Sequence, residues 1–283
     1  MIKLQKTVAA VHDISCFGKC SLTVALPIIS AAGITCAVVP TAVLSTHTGG
    51  FAGYTYRDLT DDIDPIFAHW RELDLRFDAV YSGFLGSPEQ LSIVARLFAE
   101  ARERGAVVIV DPVMADNGEL YATFDRDFPR GMRALCEGAD IIVPNTTEAA
   151  LMLNEPCVTG AQSAEYVEGL LRRLAALPSR YAVLTGVERG ELLGAAYIDV
   201  ATGEIGYAMG ERIPGSYHGT GDVFASTLTA ALTLGREIGD SLQIAVDFTV
   251  EAIKKTRDAG TPARNGVNFE AGLGRLAARL GGE

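Results

Sequence analysis

Asp222 stands in a stretch whose residue types suit phosphate chemistry, Gly219-Thr220-Gly221-Asp222, followed by an apolar helical pattern. A Gly-x-Gly turn that opens a helix leaves unpaired backbone N–H groups at the positive end of the helix dipole. Such a terminus binds anions, and phosphate is the usual one. Bound phosphate would repel a carboxylate beside it, unless that carboxylate is a base acting on a nucleophile aimed at the phosphate. The alternative is that Asp222 only caps the helix, because Asp favours first turns.

Other polar residues follow predicted strands, and they are Asp111, Asp116, Asn145, Glu148 and Thr185. Parallel strands end on one rim of a sheet, so we expect these side chains to meet the glycine-rich loop around one ligand. Asp116 and Glu148 together would suit Mg²⁺, which prefers one or two carboxylates plus water and phosphate oxygens. The alternative for each residue taken alone is an ordinary acid at a helix start or on the surface, and the metal role is favoured only when both are considered together with the anion-binding loop. Asn145 and Thr185 can donate to phosphate oxygens, and each could equally be a helix cap.

The polar residues named above must be positioned by the secondary structure around them, and the sequence alternates short apolar runs, typical of buried strands, with helical patterns. The predicted strands are Thr7–Ile14, Ile34–Val43, Ala79–Ser82, Ala106–Val110, Asp140–Val143 and Tyr181–Leu184. The predicted helices include Leu22–Ala32, Ser163–Leu177, Gly219–Gly235 and Asp240–Ala259. This alternation predicts an α/β fold with a doubly wound, mostly parallel sheet and helices on both faces. We expect Thr185-Gly186 to follow the end of its strand, and the loop Ser45–Phe51 to follow the second strand at the substrate side.

Two local signals refine this fold. Ser87 predicts an N-cap, with Pro88 at the first helical position, Gln90 completing a capping box and Gly105 ending the helix. Leu193–Val200 and Glu204–Ile213 flank a short turn and predict an antiparallel hairpin at the sheet edge. No repeat or disordered linker interrupts the pattern, so we predict a single domain over residues 1–283.

The net charge limits the kinds of binding partner that we expect, and the cysteine content indicates the cellular compartment. The formal net charge of −11 argues against a nucleic-acid or anionic-membrane partner, which would require a basic face. Cys16 and Cys20 have a spacing seen in metal sites, but no second Cys or His pair lies nearby, so we do not expect zinc. We expect no signal peptide at Met1–Thr7 and no membrane span in the uncharged run from Cys20 to Tyr56. A cytoplasmic protein with reduced thiols is the resulting prediction.

Several motifs together resemble the pyridoxal kinases of the ribokinase-like family. They are Ser45–Gly49, Tyr81–Gly86, Asp111–Met114, Pro144–Glu148, Leu184–Gly186 and Gly219–Asp222, which occur in the family's order and spacing. The resemblance runs from about Val8 to about Ala259, nearly the whole chain. The joint set is far more specific than any one of its pieces.

The resemblance implies a role for each matching residue. Asp222 would be the catalytic base, and Gly219, Thr220 and Gly221 would form the anion hole. Asp116 and Glu148 would hold Mg²⁺. The residues implied to face the phosphates of ATP are Asp111, Asn145 and Thr185, together with Gly219 and Gly221. Those implied to contact the pyridine ring are Asp13, Ser15, His47, Thr48 and Phe84.

The chain departs from the pyridoxal kinase pattern at two positions. Phe84 stands where those enzymes usually have Tyr, so stacking survives but one hydroxyl is lost. Asp13 stands where they carry an early serine, although Ser15 could fill that role if the loop is shifted. An acid at this place is similar to the hydroxymethylpyrimidine kinases, relatives that act on a comparable heteroaromatic alcohol.

We therefore expect ATP-dependent phosphorylation of the 5′-hydroxymethyl group of a vitamin B6 vitamer: pyridoxal, pyridoxamine or pyridoxine. The resemblance also implies a homodimer, with a monovalent cation as a further candidate beside Mg²⁺. The alternatives are a hydroxymethylpyrimidine kinase and a vitamer-binding protein that has lost catalysis. Asp222, Asp116 and Glu148 argue against that loss, since a pure binder needs no base and metal site together. A dinucleotide-dependent oxidoreductase is weaker still, because only Gly18 follows the first strand where Gly-x-Gly-x-x-Gly would be needed.

Overall fold

The computed structural model describes residues 5–281, and the first four residues of the Met1–Thr7 stretch lie outside them. Its strands, in chain order, are β1 (Thr7–Ser15), β2 (Thr35–Leu44), β3 (Tyr56–Asp58), β4 (Ala79–Ser82), β5 (Val107–Val110), β6 (Ala115–Asp116), β7 (Glu119–Leu120), β8 (Ile141–Ile142), β9 (Tyr181–Arg189), β10 (Leu192–Asp199) and β11 (Ile205–Glu211). Its α-helices are α1 (Leu22–Ala31), α2 (Thr60–Glu72), α3 (Pro88–Glu103), α4 (Phe128–Glu137), α5 (Thr146–Leu153), α6 (Ala164–Leu174), α7 (Thr220–Thr233), α8 (Ile238–Asp258) and α9 (Leu273–Leu280).

The chain divides into two compact units, one formed by the residues up to Tyr81 and from Ile213 onwards, the other by Ser82–Arg212. In the first unit the strand order is β4-β1-β2-β3. β1 and β2 run parallel, and their register shifts between His12 and Ile14. The apolar run from Val8 to Val11 is completely buried, as expected for a parallel strand covered on both sides.

Helix α7 is an interior helix of the first unit. It packs against α8 and α1, and its residues from Val223 to Ala231 are buried on every side. Small and β-branched residues make this packing possible, and the Thr227 hydroxyl donates to the Val223 carbonyl within the helix at 2.7 Å. A helix held all round in this way keeps its first turn in a fixed position.

In the second unit the strand order is β11-β10-β9-β8-β5. β5, β8 and β9 are parallel, whereas β9, β10 and β11 are antiparallel to their neighbours. The predicted edge hairpin is thus present as β10 and β11. The far half of β9 pairs with β10, so that three antiparallel strands lie at this edge. The prediction that Thr185-Gly186 follows a strand end is wrong, since β9 continues to Arg189 because its far half pairs with β10.

The helix starts of the second unit show how local sequence sets structure. Ser87 caps α3, and its hydroxyl oxygen accepts the Gln90 N–H at 3.2 Å. Gln90 Oε1 accepts the Gly86 N–H at 2.7 Å, one residue earlier than the capping box we predicted. Ser163 caps α6 by accepting the Tyr166 N–H at 3.2 Å.

The α/β fold with mostly parallel strands and an antiparallel edge is confirmed. The predictions did not include α2, α4, α5 or α9, which are short or only weakly apolar in pattern. That residues 1–283 form a single domain stays a prediction. No disulfide joins any of the five cysteines. Between residues 5 and 281, no helix combines the length and apolar character that crossing a membrane requires.

Candidate active site

The start of α7 is open to an anion. Its N-cap is Gly219, which has a left-handed backbone with φ of 78° and no side chain to close the first amides. A Cβ atom at this position would lie 2.0 Å from the Lys19 carbonyl oxygen, so only glycine fits. Thr220 is half-buried and its hydroxyl donates to the Tyr217 carbonyl at 3.2 Å, while Gly221 is exposed. The first N–H groups of α7 therefore remain available at the positive end of the helix dipole.

Asp222 lies in the first turn of α7 and is partly buried. Burial raises the pKa of its carboxyl group to about 7, and the negative charge of Asp13 adds to the increase. The dipole of the Ser21 backbone N–H opposes this shift. A carboxyl group with a pKa near 7 can take and release a proton at neutral pH, as a general base must.

Asp13 and Ser15 lie together at the end of β1. The Ser15 hydroxyl donates to Asp13 Oδ2 at 3.0 Å, and the Ser21 hydroxyl donates to Asp13 Oδ1 at 2.5 Å. Burial raises the pKa of Asp13, and the two hydroxyl donors lower it. The sequence left open whether Asp13 or Ser15 contacts the substrate ring, and the structure shows that these two side chains are hydrogen-bonded to each other. Ser21 was not among the predicted site residues.

His47 joins two loops of the first unit. Its Nδ1 accepts the Gly49 N–H at 3.1 Å, so its proton lies on Nε2, which donates to the Arg264 carbonyl at 2.6 Å. Burial lowers the pKa of His47; the Arg264 carbonyl opposes this, and His218 lowers the pKa further. His47 is thus a neutral, buried residue that fixes the loop carrying Thr48, which is exposed.

Aromatic and cationic side chains cluster around this loop. The His47 ring lies 5.0 Å from the Phe51 ring and 5.1 Å from the His218 ring. The guanidinium of Arg264 lies 5.4 Å above the Phe51 ring. We did not predict Arg264 or His218 as site residues; Arg264 lies beyond the last motif and no pattern there points to a ligand.

The start of α5 is closed by its own side chains. Asn145 Oδ1 accepts the N–H groups of Thr147 and Glu148, both at 2.9 Å, and Glu148 Oε2 accepts the Asn145 N–H at 2.9 Å. These contacts form a complete capping box. Asn145 Nδ2 also donates to the Ala115 carbonyl at 2.8 Å. Of the two readings of Asn145, the structure therefore shows the cap.

Glu148 is buried beside the short strand that carries Asp116. Its Oε1 accepts the Met114 N–H at 3.0 Å, and burial raises the pKa of its carboxyl group to about 8. The Asp116 charge adds to the increase, while the N–H donors, Asn145 first, oppose it. Asp116 is exposed and accepts from the backbone and side chain of Asn117 at 2.9 and 3.0 Å.

Within the described part of the chain, no three His, Cys, Asp or Glu side chains stand together as a metal site. The pair of Asp116 and Glu148 still fits Mg²⁺ in its chemistry. Both donors are carboxylate oxygens, and their mutual repulsion is relieved by a divalent cation. Water and phosphate oxygens would have to complete the coordination.

Thr185 lies beside the start of α5, and Asp111 follows strand β5. Thr185 forms a parallel bridge with Asn145, and its N–H donates to the Pro144 carbonyl at 2.9 Å. Asp111 is buried directly after β5, where its N–H donates to the Ser82 carbonyl at 2.9 Å. The structure thus brings together Asn145, Glu148, Asp116 and Thr185.

Phe84 belongs to an aromatic stack of the second unit. Its ring lies 5.5 Å from that of Phe124, which stacks on Phe128 with ring centroids 3.8 Å apart. The half-buried Phe84 ring is therefore held from one side. That it stacks on a substrate ring stays a prediction.

Comparison with known proteins gives these features a family. A family model described as phosphomethylpyrimidine kinase matches residues 26–267. A pyridoxine/pyridoxal/pyridoxamine kinase of Bordetella avium is 28% identical over 281 residues, which cover 93% of this chain and 92% of the relative.

Two crystal structures are similar over nearly the whole chain. The pyridoxal kinase from Lactobacillus plantarum is 34% identical, with 98% of each chain covered and a TM-score of 0.89. A Bacteroides thetaiotaomicron protein crystallised with pyridoxal is 34% identical, with 96% of each chain covered and a TM-score of 0.89. The resemblance to pyridoxal kinases of ribokinase-like fold is confirmed. Because the family model spans far more than half of its residues, this chain belongs to the phosphomethylpyrimidine kinase family.

Proposed function

We propose that this chain transfers the γ-phosphoryl group of ATP to the 5′-hydroxymethyl group of a vitamin B6 vitamer. The observation that carries the proposal is the open start of α7, where the uncapped amides adjoin a carboxyl group with a pKa near neutrality. A binding protein would gain nothing from a carboxylate beside a phosphate site, because the two charges repel each other.

In this proposal Asp222 acts as the general base. Its ionised carboxylate removes the hydroxyl proton while the hydroxyl oxygen forms a bond to the γ-phosphorus. The bond from that phosphorus to the bridging oxygen breaks, and ADP leaves with the electron pair. The raised pKa of Asp222 suits this role, since a stronger base accepts the proton more readily and is still ionised above about pH 7.

The amides at the start of α7 would stabilise the charge on the transferring group. They point outward from a helix that is buried all round, so they need no rearrangement during the reaction. Gly219 and Gly221 allow the phosphate oxygens to approach the backbone closely, and a side chain at Gly219 would collide with the Lys19 carbonyl.

We further propose that Asp116 and Glu148 hold Mg²⁺, which when bound neutralises phosphate charge. Asp111, Asn145 and Thr185 would face the phosphates. The Oδ1 atom of Asn145 accepts from the amides of the α5 cap, and its Nδ2 already donates one proton to the Ala115 carbonyl, so only the second Nδ2 proton could be donated to a phosphate oxygen. On the substrate side, Asp13, Ser15, His47, Thr48 and Phe84 are the proposed ring contacts.

Homodimer assembly and a monovalent-cation requirement also belong to the proposal, on the strength of the family. Sedimentation at micromolar protein concentration tests the first of these. Activity in potassium, sodium and tetramethylammonium salts at equal ionic strength tests the second.

The second candidate is a hydroxymethylpyrimidine kinase. The description of the family model and the acid at Asp13 favour it. A coupled ADP-release assay with pyridoxal, pyridoxamine, pyridoxine and hydroxymethylpyrimidine separates the two. We expect kcat/KM to be highest for one of the three vitamers, and a clear preference for the pyrimidine would contradict the proposal. Absence of ADP release with all four would contradict both.

A further inference from the structure

Lys19, in the loop before α1, is held by residues from the last part of the first unit. Its backbone N–H donates to the Asn265 carbonyl at 3.1 Å. Its ammonium group donates to Asn268 Oδ1 at 2.8 Å and to Glu270 Oε2 at 3.0 Å. Residues 263–270, which we call the C-terminal segment, therefore fix both the backbone and the side chain of this one lysine.

Two glycines pack directly on the Lys19 backbone. A Cβ atom at Gly219 would collide with the Lys19 carbonyl oxygen, and one at Gly266 would lie 2.8 Å from the Lys19 nitrogen and 2.9 Å from the same oxygen. Both glycines have a left-handed backbone, with φ of 78° and 83°. Neither position has room for a side chain, so Lys19 is enclosed between the N-cap of α7 and the C-terminal segment.

The C-terminal segment is itself anchored to helix α8. The Asn268 N–H donates to Thr256 Oγ1 at 2.7 Å, and Thr256 is a buried residue of α8. Asn268 Nδ2 donates to Thr261 Oγ1 at 2.8 Å, which fixes the side-chain amide with its Oδ1 at the Lys19 ammonium. A continuous set of contacts thus runs from α8 through Asn268 and Lys19 to Gly219.

The same segment also reaches the loop after β2. The Arg264 carbonyl accepts from His47 Nε2 at 2.6 Å, and a Cβ atom at Gly18 would collide with the His47 ring. His47 Nδ1 in turn accepts the Gly49 N–H at 3.1 Å. The C-terminal segment therefore fixes two loops together, the one before α1 and the one after β2.

We propose that Lys19 is a positioning residue that holds the N-cap of α7 in place for phosphoryl transfer. Its carbonyl packs on Gly219, while its N–H and its ammonium group anchor it to the C-terminal segment. The kinetic part of this inference rests on the proposed function, because it presupposes that the open start of α7 binds the transferring group. Lys19 is not a phosphate ligand here, since Asn268 and Glu270 engage its ammonium group.

Loss of this anchor should affect the reaction more than the stability of the fold. The side chains of Lys19 and Glu270 are 28% and 52% exposed, and ion pairs so open to water stabilise a fold only weakly. Amides that stabilise a developing charge lose much of their effect when they are displaced by about 1 Å. We therefore expect kcat to fall while KM changes little.

The kinetic test uses Lys19→Met in the full-length chain, which keeps the backbone and Cβ atoms that pack on the two glycines. We expect kcat to fall about tenfold, with KM for ATP and for pyridoxal changed less than about twofold. Lys19→Arg can donate to the same two acceptors and should recover most of the rate. Lys6→Met is the matched control, because it removes a lysine–carboxylate pair of 2.6 Å with Asp78 and should retain the wild-type kcat.

A second variant shows whether Lys19 acts through its anchor. Asn268→Ala should also lower kcat, and adding it to Lys19→Met should lower kcat little further, because both changes break the same contact. Multiplied effects in the double variant would overturn the inference. A raised KM for ATP with unchanged kcat in Lys19→Met would also overturn it and assign the ammonium group to the nucleotide. Glu270→Gln, at an exposed side chain, provides the same readouts if Lys19→Met does not fold.

Hydrogen–deuterium exchange separates this inference from the proposed function. The Val223 amide donates to the Gly219 carbonyl at 3.0 Å, so its exchange reports how firmly the start of α7 is held. It should exchange about tenfold faster in Lys19→Met than in Lys6→Met. Equal exchange in the two variants would overturn the inference whatever the kinetics show. Faster exchange in a protein that releases no ADP with any substrate would contradict the proposed function alone.

Discussion

Helices α5 and α7 both begin with a polar turn, and they use it in opposite ways. At α5 the Asn145 side chain accepts two amide protons and Glu148 returns to the Asn145 N–H, so the terminus is closed. At α7 the N-cap is Gly219, which has no side chain, and no side-chain hydrogen bond caps the first amides. The first amides of α5 are hydrogen-bonded by side chains of the same helix start, whereas those of α7 remain available to a ligand.

This difference shows that an acid in the first turn of a helix is not by itself a cap. Burial raises the pKa of the carboxyl groups of both Glu148 and Asp222, to about 8 and about 7. What separates them is the residue that precedes them. Asn145 supplies a carbonyl oxygen to the first amides, whereas Gly219 supplies none.

The largest effect should come from Asp222→Asn, which preserves the shape of the side chain but removes the base. We expect kcat to fall by roughly 10²–10⁴. The KM for ATP should be unchanged or lower, because a negative charge beside the phosphates has gone. Asp240→Asn, in the exposed first turn of α8, is the matched control and should retain wild-type rates. A variant with more than about half of the wild-type turnover would make Asp222 a structural acid.

The two left-handed glycines that flank α7 provide the next test. Gly219 and Gly235 have φ of 78° and 83°, but an added Cβ would meet the Lys19 carbonyl only at Gly219 and has open space at Gly235. Gly235→Ala should therefore cost only the backbone strain, about 1–2 kcal/mol. Gly219→Ala should cost more in urea unfolding and lower kcat/KM by roughly 10²-fold through loss of the amide site. Equal losses in both variants would mean that the open terminus has no special function.

A smaller effect is expected at the metal site beside α5. Glu148→Gln and Asp116→Asn should each raise the Mg²⁺ concentration for half-maximal rate, roughly tenfold, because an amide is a weaker ligand than a carboxylate. Asp127→Asn, an exposed acid at the start of α4, should leave that concentration unchanged. The same Mg²⁺ dependence in all three variants would remove both acids from the metal site.

The smallest effect separates the two uses of Asn145. Asn145→Ala should lower stability by about 1 kcal/mol through loss of the α5 cap. Asn145→Asp can still cap the helix and should recover most of that stability, yet its added charge should raise the KM for ATP. If Asn145→Asp binds ATP as the wild type does, this side chain serves the helix and does not face phosphate. Thermal unfolding and ATP-dependent kinetics on the same samples measure both quantities.

Much of the architecture could be predicted from the sequence, because the spacing of apolar residues and the helix-capping residues determine strands and helices over short stretches of chain. β4 lies at its predicted bounds, and Ser87 and Ser163 cap their helices through the hydroxyl groups. The end of β9 could not be predicted, because Thr185-Gly186 has the composition of a turn. Gly186 instead remains in the strand with φ of 72°, beside the register shift of β10 between Gly194 and Ala195.

The site could be predicted only in part, for a related reason. Asp222 and Gly219 belong to a motif with a physical meaning, whereas the positive φ of Ser21 and its hydrogen bond to Asp13 follow from no pattern in the sequence. Asn145 had two acceptable roles, and choosing between them required the positions of the Thr147 and Glu148 amides. The assigned catalytic, ring, nucleotide and metal roles remain predictions until the variants are measured.

The division of the chain has a consequence for synthesis on the ribosome. The second unit is one continuous segment, Ser82–Arg212, so all of its strands can pair before α7 has been translated. The first unit contains both ends of the chain. The Lys19 carbonyl can pack against Gly219, and the His47 ring can bond to the Arg264 carbonyl, only after the C-terminal residues have been synthesised. Contacts so distant in sequence form slowly, because the intervening chain must first be ordered. The contacts of Lys19 with Gly219 and of His47 with Arg264 therefore form only after the C-terminal part of the first unit has been synthesised.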